Sequence, residues 1–466
     1  MIKKVHMISL GCPKNRVDSE VMVGLLNSDE AFEVVADIDE ADVVVVNTCG
    51  FIDAAKEESV DTILEMTQRK ADGLLREVVV TGCLSQRYHE SLVKEIPEVD
   101  TYLGTNTFTA INDVLHGRVK EKALITPGSF IMDANVARPN TIRGGTAYLK
   151  ISEGCSRSCS FCAIPGIRGK QVSRTLDDVV KESRKLVDSG VKEIILLAQD
   201  MTSYGIDLDP KNNRDYLIRL LRRLDGEIED LSWLRLLYMY PWNFTDELLD
   251  VFTNAERLLP YIDMPLQHVS QKILKSMRRN IKREKQMDLI DRIRDIEDMV
   301  LRTTFIVGYP GESDKDFQEL YDWVEHVEFD RVGVFTFSPE ENTLAATLDE
   351  QVEEHVKQER YGALMELQRG ISARKNRDWI GSVTEVIVDG ISEEHELVFQ
   401  GRHYGQAPDI DGVTFLSSEH GGKHPTPGDI LTVQIEQATD YDLLGIIIPD
   451  KPLDLSGAEL SISTSK

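Results

Sequence analysis

The chain has 466 residues, of which 41% are hydrophobic and 29% are charged, and its formal net charge at pH 7 is -27. This length predicts two to four domains with packed cores. No apolar run approaches the roughly 18 residues that a membrane-spanning helix needs, and the beginning, MIKKVHMISLGCP, has too short an apolar stretch for a signal peptide, so we expect a cytoplasmic protein. The negative charge argues against direct nucleic-acid binding, which needs clustered Lys and Arg, and favours a basic partner.

Strand and helix patterns alternate from residue 4 to about 120. The β-rich runs VHMISL, FEVVADI, DVVVVN and EVVVTG are separated by helical segments, which predicts an open, mostly parallel α/β sheet over residues 1–125. Cys12, Cys49 and Cys83 each follow one of these runs. Because parallel strands end on the same edge of a sheet, the three thiols are predicted to converge there.

A stretch bearing Pro, Gly and Asn marks a linker at about 125 to 145. Six further strand patterns, separated by helical ones, follow and predict a partial (β/α) barrel over residues 142–375. Its cysteine-rich segment follows the first strand, at the edge where such folds place their sites. The strand patterns are TAYLKIS, VKEIILLAQ, LSWLRLLYMY, YIDMPLQ, LRTTFIVGY and RVGVFTFS.

A long helical run, at about 350 to 378, leads to a segment of different texture. Short β-rich runs broken by Gly and Pro predict a small antiparallel β-barrel over residues 379–447, and the tail 448–466 is predicted to be disordered. From residue 379 to 450 there are 13 acidic residues against Arg402 and Lys423, a net charge of -11.

The segment EGCSRSCSFCAIP carries Cys155, Cys159 and Cys162. Six cysteines in a reducing compartment are not expected to form a disulfide framework, whereas thiolates suit iron-sulfur clusters and zinc. The spacing C-x3-C-x2-C is too compact for a zinc site with four protein ligands unless a fourth arrives from afar. Three thiolates on a [4Fe-4S] cluster leave one iron open to a substrate or cofactor. Zinc, or a purely structural cluster, remains the alternative.

This segment resembles the loop of the radical S-adenosylmethionine enzymes, in which an aromatic residue, here Phe161, stands just before the last cysteine. The resemblance implies that S-adenosylmethionine chelates the open iron and that its reductive cleavage forms a radical that removes hydrogen from carbon. It also implies that Phe161 is a cofactor-binding residue.

Further cofactor-binding candidates follow from the same resemblance. Gln199 and Asp200 end the second barrel strand, where the superfamily usually places a Gly-Gly-Glu stretch that is absent here. Arg174, like Arg168 in the same IRGKQVSR segment, is a candidate to pair with a carboxylate.

The stretch FIVGYPGE is similar to the superfamily's glycine motif near the adenine, which makes Gly308 a candidate contact, although a simple turn is the alternative. His268 ends another strand and is interpreted as a core histidine. No catalytic residue is assigned beyond the cluster ligands.

The dispersed cysteines narrow the family. SLGCPKNRVDSE, VNTCGFIDAAKEES and TGCLSQRY resemble the N-terminal domain of the methylthiotransferases, and YDLLG resembles their C-terminal TRAM barrel, so that the likeness extends from residue 1 to about 447. The resemblance implies that Cys12, Cys49 and Cys83 hold a second [4Fe-4S] cluster, where a sulfur atom is carried and methylated. The implied reaction replaces C-H by C-S-CH3.

Two features favour one branch of this family. Cys12-Pro13-Lys14-Asn15 resembles the branch that modifies the β-carbon of an aspartate in the twelfth small-subunit ribosomal protein, although Arg16 departs from the common Leu. The acidic terminal barrel would also attract a basic ribosomal protein, either free or within the small subunit. An electron donor such as flavodoxin or ferredoxin is the second expected partner.

Three rival functions remain at this point. A transfer-RNA adenosine methylthiotransferase would share the whole architecture. An iron-sulfur electron carrier or binding module would not cleave S-adenosylmethionine. A radical methyltransferase without sulfur insertion would leave Cys12, Cys49 and Cys83 as ordinary thiols.

Overall fold

The computed structural model describes residues 2–142, 144–209, 215–392, 398–417 and 424–448. They fall into two units, Met1–Ile142 with Thr146–Ile371 and Arg143–Gly145 with Ser372–Lys466. No helix in the part described is long and apolar enough to cross a membrane. Nearly all of the predicted tail 448–466 lies outside the described residues, and the predicted domain boundaries stay predictions.

Residues 2–142 form the predicted parallel sheet. Its six strands are β1 Lys3–Ser9, β2 Phe32–Val34, β3 Val43–Thr48, β4 Glu77–Gly82, β5 Thr101–Leu103 and β6 Ala123–Leu124. Their order is β2-β1-β3-β4-β5-β6, with every pairing parallel. β3 is buried along its whole length, as its valine run predicts for a strand covered on both faces. β5 and β6 were not predicted, because two or three residues are too few to show a period.

Helices cover this sheet. They are α1 Pro13–Asn27, α2 Asp53–Ala71, α3 Cys83–Glu95 and α4 Ile111–Leu115. α1 begins with a proline at its first helical position, where the missing N–H costs nothing.

The second part of the first unit is the partial barrel. Across residues 144–209 and 215–392 its strands and helices are β7 Thr146–Lys150, β8 Ser152–Glu153, α5 Ile164–Arg168, β9 Val172–Ser173, α6 Leu176–Asp188, β10 Glu193–Leu197, α7 Tyr216–Glu227, β11 Trp233–Leu236, α8 Asp246–Asn254, β12 Leu258–Asp263, α9 Gln271–Ser276, α10 Arg283–Arg294, β13 Val300–Val307, α11 Asp314–Val327 and β14 Arg331–Thr336. The order β14-β13-β12-β11-β10-β7 is parallel throughout, and β8 pairs with β9 in a small antiparallel ribbon. All six predicted barrel strands are confirmed.

β13 shows why the barrel has room for a site. Its residues alternate between buried and partly exposed, although a parallel strand covered on both faces would be buried throughout. One face of β13 packs in the main core, and the residues of the other face, which include Arg302, are partly exposed. The fold therefore leaves polar side chains partly accessible at this strand.

The predicted linker is an ordered segment without regular secondary structure. From residue 125 to 142 the described chain has no helix or strand, yet the Arg138 side chain is only 3% exposed. Its guanidinium is paired with Glu20 of α1 and Glu182 of α6, at 2.7 Å for Glu182. The segment thus ties the sheet to the barrel.

Helix α12, Glu354–Asp378, precedes the terminal barrel. Within 383–392, 398–417 and 424–448 the five strands are β15 Val383–Ile391, β16 Phe399–His403, β17 Thr414–Ser417, β18 Ile430–Ala438 and β19 Leu443–Ile447, which close in the order β15-β16-β17-β19-β18. The predicted small barrel is confirmed. One pairing, β17 with β19, is parallel rather than antiparallel, because the two strands run in the same direction when the barrel closes.

Candidate active site

The structure brings Cys12, Cys49 and Cys83 together. Cys12 caps the beginning of α1, Cys49 directly follows β3, and Cys83 is the first residue of α3, after β4. β1, β3 and β4 are neighbours in the sheet, and Cys12 and Cys83 both act electrostatically on Cys49. The order of the strands therefore brings three cysteines that are distant in the sequence into one thiol cluster, as predicted.

Two glycines let the loops at this edge approach one another. Gly11 has φ +84°, and a Cβ there would lie 2.6 Å from the Cβ of Cys49. Gly82 has φ +98°, and a Cβ there would meet the carbonyl oxygen of Thr48 at less than 2.5 Å. Any larger residue would push the thiols apart, so the glycines set the spacing of the cluster.

The environment of these thiols disfavours their charged form in the absence of a metal. Burial, together with the neighbouring Cys83 and Cys12, raises the pKa of Cys49 to about 12. Burial also raises the pKa of Cys83, although Arg168 acts in the opposite direction. Because a thiolate is the metal-binding form, loading iron at this edge must release protons.

Cys155, Cys159 and Cys162 form the second cluster of thiols, on the loop between β8 and α5. The loop is held by backbone hydrogen bonds from Cys155 N–H to the Gly169 carbonyl at 3.0 Å and from Cys162 N–H to the Cys159 carbonyl at 3.2 Å. Burial raises the pKa of Cys155 to about 11 and that of Cys162 to about 12. This cluster, too, needs a cation to become charged.

Ser160 anchors the loop, and the sequence offered no signal for it. Its N–H donates to the Met277 carbonyl at 3.1 Å, its carbonyl accepts the Ala345 N–H at 2.8 Å, and its hydroxyl lies 2.8 Å from the hydroxyl of Tyr309. The Phe161 ring packs against the small apolar cluster that contains Met277 and Tyr309. The predicted aromatic position therefore holds the loop in place, and its contact with a cofactor stays a prediction.

Arg168 links the two thiol clusters. It ends α5, just after the second cluster, and its Nε donates to Cys83 Sγ of the first cluster at 3.3 Å. The same guanidinium donates to Asn15 Oδ1, and it pairs with Glu153 at 2.9 Å. Asn15 itself is fully buried and donates to the carbonyls of Leu10 and Thr48.

Four buried charges form what we call the ion quartet, defined as Asp18, Lys150, Glu153 and Arg168. Lys150 pairs with Asp18 and, at 2.7 Å, with Glu153, and Arg168 pairs with the same two carboxylates. The two positive and two negative charges balance, which lowers the cost of burying them. Although burial opposes the charged form of Glu153, Arg168 and Lys150 lower its pKa to about 2.

Gln199 lies next to the ion quartet, at the carboxyl end of β10. Its Nε2 donates to Glu153, while its Oε1 is buried without a hydrogen-bond partner in the part of the chain described. The Oε1 of Gln267, which follows β12, is likewise buried and unpartnered within the described ranges. A buried acceptor left unpaired is costly, so these two oxygens are suited to accept from a bound ligand.

Asp200 has its acceptors occupied by protein groups. It pairs with Arg157 at 2.6 Å and accepts from the hydroxyls of Thr202 and Ser203. Arg157 also stacks on Tyr240, with 4.3 Å between its guanidinium carbon and the ring centroid. Asp200 therefore fixes an arginine beside the second cluster rather than presenting free oxygens.

Arg279 is a residue that the sequence analysis did not single out. Its guanidinium carbon lies 3.9 Å from the centroid of the Tyr240 ring, on which Arg157 also stacks. Its side chain is buried, and it acts electrostatically on Cys162. Arg279 is therefore a positive charge placed at the second thiol cluster.

Two further candidates are held by protein contacts. Arg174 is paired with Asp178 at 2.6 Å and with Glu182, and its side chain is only 1% exposed. Gly308 has φ +71°, and a Cβ there would meet the side chain of Lys357, so that its backbone conformation is that of a turn. For both residues a cofactor contact stays a prediction.

His268 is a core residue. It is fully buried, and its Nδ1 accepts the N–H groups of Val269 and Ser270 at 3.0 and 2.9 Å. Burial lowers its pKa to about 3, so the ring is neutral and its 3.9 Å approach to Glu312 is not an ion pair. The interpretation made from the sequence agrees with this geometry.

Three domain families match the chain. Residues 4–104 match the family described as "Uncharacterized protein family UPF0004", residues 149–324 match the radical SAM superfamily, and residues 380–448 match the TRAM domain. The ribosomal protein uS12 methylthiotransferase RimO of Bdellovibrio bacteriovorus is 45% identical, over 96% of this chain and 98% of its own length. The protein of the same name from Geobacter sulfurreducens is 46% identical, over 96% and 99%.

The chain belongs to the ribosomal protein uS12 methylthiotransferase family. It is therefore a radical S-adenosylmethionine enzyme, and its cofactors are S-adenosylmethionine and [4Fe-4S] clusters. The fold agrees with this membership. TsrM of Kitasatospora setae, a radical S-adenosylmethionine methyltransferase, superposes with a TM-score of 0.53 at 16% identity, over 72% of this chain and 75% of that one. The cobalamin-dependent radical enzyme OxsB superposes at 0.51 and 13% identity, over 79% and 56%.

The residues of the two thiol clusters fit the cofactors of a uS12 methylthiotransferase. Each thiol cluster offers three soft donors, and the second also has Arg157 and Arg279 nearby, with unpartnered amide oxygens at the neighbouring strand ends. Within the described ranges, no group of three or more Cys, His, Asp or Glu side chains has the geometry to hold a single metal ion. A single tetrahedral zinc would bring thiolates to within about 4 Å of each other, whereas a four-iron cube holds them farther apart.

Proposed function

We propose that this enzyme inserts a methylthio group at the β-carbon of an aspartate in ribosomal protein uS12. The carrying observation is the position of Arg168, which donates to a thiol of the first cluster and ends α5, the helix that directly follows the loop of the second. The two clusters are therefore connected through α5, and we infer that groups held at both can act on one substrate. The names of the relatives and the CPKN stretch at Cys12 support the same substrate.

We assign the ligands by cluster. Cys155, Cys159 and Cys162 hold the [4Fe-4S] cluster that binds S-adenosylmethionine, and Cys12, Cys49 and Cys83 hold the other. When bound, these groups supply the reducing electron, the radical that removes hydrogen and the methylthio group that replaces it. The chain itself supplies three thiols at each cluster and leaves room for a non-protein ligand at both.

Around S-adenosylmethionine, the chain's own groups suggest distinct roles. The unpartnered Oε1 atoms of Gln199 and Gln267 can accept from an ammonium group, and the positive charges of Arg157 and Arg279 can balance a carboxylate. Asp200 acts through Arg157 as a positioning residue.

The charge of the terminal barrel supports the choice of substrate partner. The acidic terminal barrel supports capture of a basic ribosomal protein, either free or in the small subunit, and opposes direct nucleic-acid binding. A flavodoxin or ferredoxin is the proposed electron donor, and the cytoplasm is the proposed location.

Anaerobic reconstitution followed by mass spectrometry tests the function. The reduced enzyme is incubated with S-adenosylmethionine and either uS12 or transfer RNA, and each product is weighed. We expect one methylthio group on the uS12 aspartate and none on transfer RNA. Modification of transfer RNA alone would overturn the substrate. Formation of 5'-deoxyadenosine without any methylthio product would overturn sulfur insertion.

A further inference from the structure

Lys14 is a buried lysine beside Cys12 that the cofactors do not explain. It lies in the first turn of α1 and is 7% exposed. Its Nζ lies 3.1 Å from the ring centroid of Tyr238, which follows β11 of the barrel. Among the residues described, the Lys14 ammonium has no hydrogen-bond acceptor and no ion-pair partner.

The Tyr238 ring is held in a fixed position by its backbone. Tyr238 has φ +63°, which is uncommon for a residue other than glycine, and its N–H donates to Asp263 Oδ2 at 2.8 Å. Its carbonyl accepts the Met201 N–H at 3.0 Å. Because Tyr238 and Asp263 both lie at the carboxyl ends of barrel strands, the Lys14 ammonium stands at the functional edge of the barrel.

The nearby carboxylates already have other partners. Asp263 pairs with Arg302 at 2.8 Å, and Glu153 is shared by Lys150 and Arg168 in the ion quartet. Both carboxylates influence Lys14 electrostatically, but neither receives a hydrogen bond from it. Among the described residues, the three donors of the Lys14 ammonium thus have no acceptor, and the ammonium lies against the face of one aromatic ring.

A buried charge without an acceptor costs stability, and a cation–π contact recovers only part of that cost. The fold nevertheless places this charge within electrostatic range of Cys12, at the cluster assigned above to sulfur transfer. A cation that is held there at a cost in stability is suited to bind an anionic group of the incoming substrate.

We propose that Lys14 binds the side-chain carboxylate of the substrate aspartate and thereby places its β-carbon beside the first thiol cluster. This inference rests on the proposed function, because it requires an aspartate substrate. It makes Lys14 a specificity-determining residue, since an adenosine base has no carboxylate to pair with the ammonium. The partly exposed Tyr238 ring forms the other wall of the subsite.

The test compares peptide affinities of the holoenzyme. Peptides that carry the target sequence of uS12 with either Asp or Asn at the modified position are titrated against wild type, Lys14→Met and Lys14→Gln. Lys94→Met is the control, because Lys94 is 81% exposed and, in the part of the chain described, pairs only with the adjacent Glu95 on α3. We expect both Lys14 variants to weaken binding of the Asp peptide by roughly 10- to 100-fold. The Asn peptide should change by less than about threefold.

Three further readouts keep this proposal separate from a structural role and from the proposed function. The melting temperature of Lys14→Met should not fall below that of wild type, because an unpaired buried charge has been removed. Equal losses for both peptides, or a weakened affinity for S-adenosylmethionine in place of the peptide, would overturn the role of Lys14. If wild type itself fails to modify uS12, the proposed function fails first, whatever the Lys14 variants do.

Discussion

At the scale of single residues, the ion quartet is the feature that joins the two halves of the site. Asp18 comes from α1, a helix that covers the N-terminal sheet, and Lys150, Glu153 and Arg168 come from the barrel. All four side chains are at most 6% exposed. Removing one member of a buried pair leaves the opposite charge uncompensated, which costs more than the pair contributes when intact. The quartet therefore makes the relative placement of the two thiol clusters sensitive to a single substitution.

Replacing Arg168 by Met tests the quartet. We expect a loss of about 3–5 kcal/mol in the free energy of unfolding, because Asp18 and Glu153 then share only Lys150. Arg184→Met is the matched control, since Arg184 is 52% exposed in its pair with Glu227 and should cost less than about 1 kcal/mol. Chemical denaturation of the iron-free proteins measures both losses. A loss for Arg168→Met as small as that for Arg184→Met would contradict a stabilising quartet.

Single cysteine variants separate the two thiol clusters. Cys159→Ala should abolish formation of 5'-deoxyadenosine, because it removes a ligand of the cluster assigned to S-adenosylmethionine. Cys49→Ala should leave that cleavage measurable but stop methylthio transfer. Iron analysis accompanies the assays, with about eight irons per wild-type chain and about four in each variant. A Cys49→Ala enzyme that still makes the methylthio product would contradict the assignment of the first cluster.

At the scale of elements, the turn between β13 and α11 contains a buried acid. Glu312 accepts the Tyr309 N–H at 3.0 Å and contacts Arg360 at 3.2 Å. Burial raises its pKa to about 7, although Arg360 acts in the opposite direction. α11 then begins with a capping box formed by Ser313 and Asp316.

The titration of Glu312 predicts a pH-dependent stability. Its pKa is higher in the folded state than the usual 4.5 of the unfolded chain, so its stabilising contribution is complete below pH 4.5 and is lost as pH rises through 7. The difference in unfolding free energy between wild type and Glu312→Gln should therefore fall by about 3 kcal/mol from pH 4.5 to 7.5. His268 contributes to the pH dependence of stability in both proteins, so its contribution cancels from this difference.

Urea denaturation at several pH values measures the effect of Glu312. Glu319→Gln is a suitable control, because the Glu319 side chain is 28% exposed and its one ion pair within the described ranges is with Arg283 at 2.8 Å. A wild-type stability that tracks that of Glu312→Gln at every pH would contradict the raised pKa.

At the scale of the whole molecule, we propose the acidic terminal barrel as the second determinant of substrate capture. Arg402, one of its two basic residues, is buried and paired with Asp389 at 2.9 Å, so its charge is balanced inside the barrel. The remaining charge of this segment is therefore strongly negative. Such a surface attracts a basic protein over distances limited by salt screening.

Deleting residues 379–466 tests this role, and the cut falls after the end of α12. We expect KM for uS12 to rise about tenfold at low ionic strength, while cleavage of S-adenosylmethionine changes less. Added salt should raise the KM of the full-length enzyme toward that of the truncated one. Equal losses of cleavage and capture would mean that the barrel is needed for folding alone.

The sequence identified the longer elements because their hydrophobic periods are strong. The valine run of β3 and the six barrel strands are of this kind, whereas β5 and β6 are too short to be recognised. The segment predicted as a linker has no helix or strand from residue 125 to 142, but its role in packing was missed. In the sequence, Arg138 is one charged residue among many, and only the fold shows that it pairs with Glu20 and Glu182.

The candidate site divides in the same way. The spacing of the six cysteines predicted two sets of three thiols. Cys155, Cys159 and Cys162 lie close together in the sequence, whereas Cys12, Cys49 and Cys83 follow parallel strands, whose ends meet at one edge of the sheet. Ser160 and Arg279 gave no comparable signal, since their roles depend on which distant groups they meet. Arg174 and Arg168 looked equivalent in sequence, yet only Arg168 donates to a cysteine.

By itself, the sequence determined the kind of chemistry, because cysteine spacing and strand period are local properties that survive without a fold. Only the tertiary structure decided how the charges are distributed around the candidate active site. Whether a lysine is paired with a distant carboxylate, as Lys150 is with Asp18, or left without an acceptor among the described residues, as Lys14 is beside Tyr238, depends on contacts between segments far apart in the chain. Pairing is a matter of distance in space, and the order of residues along a chain does not specify it.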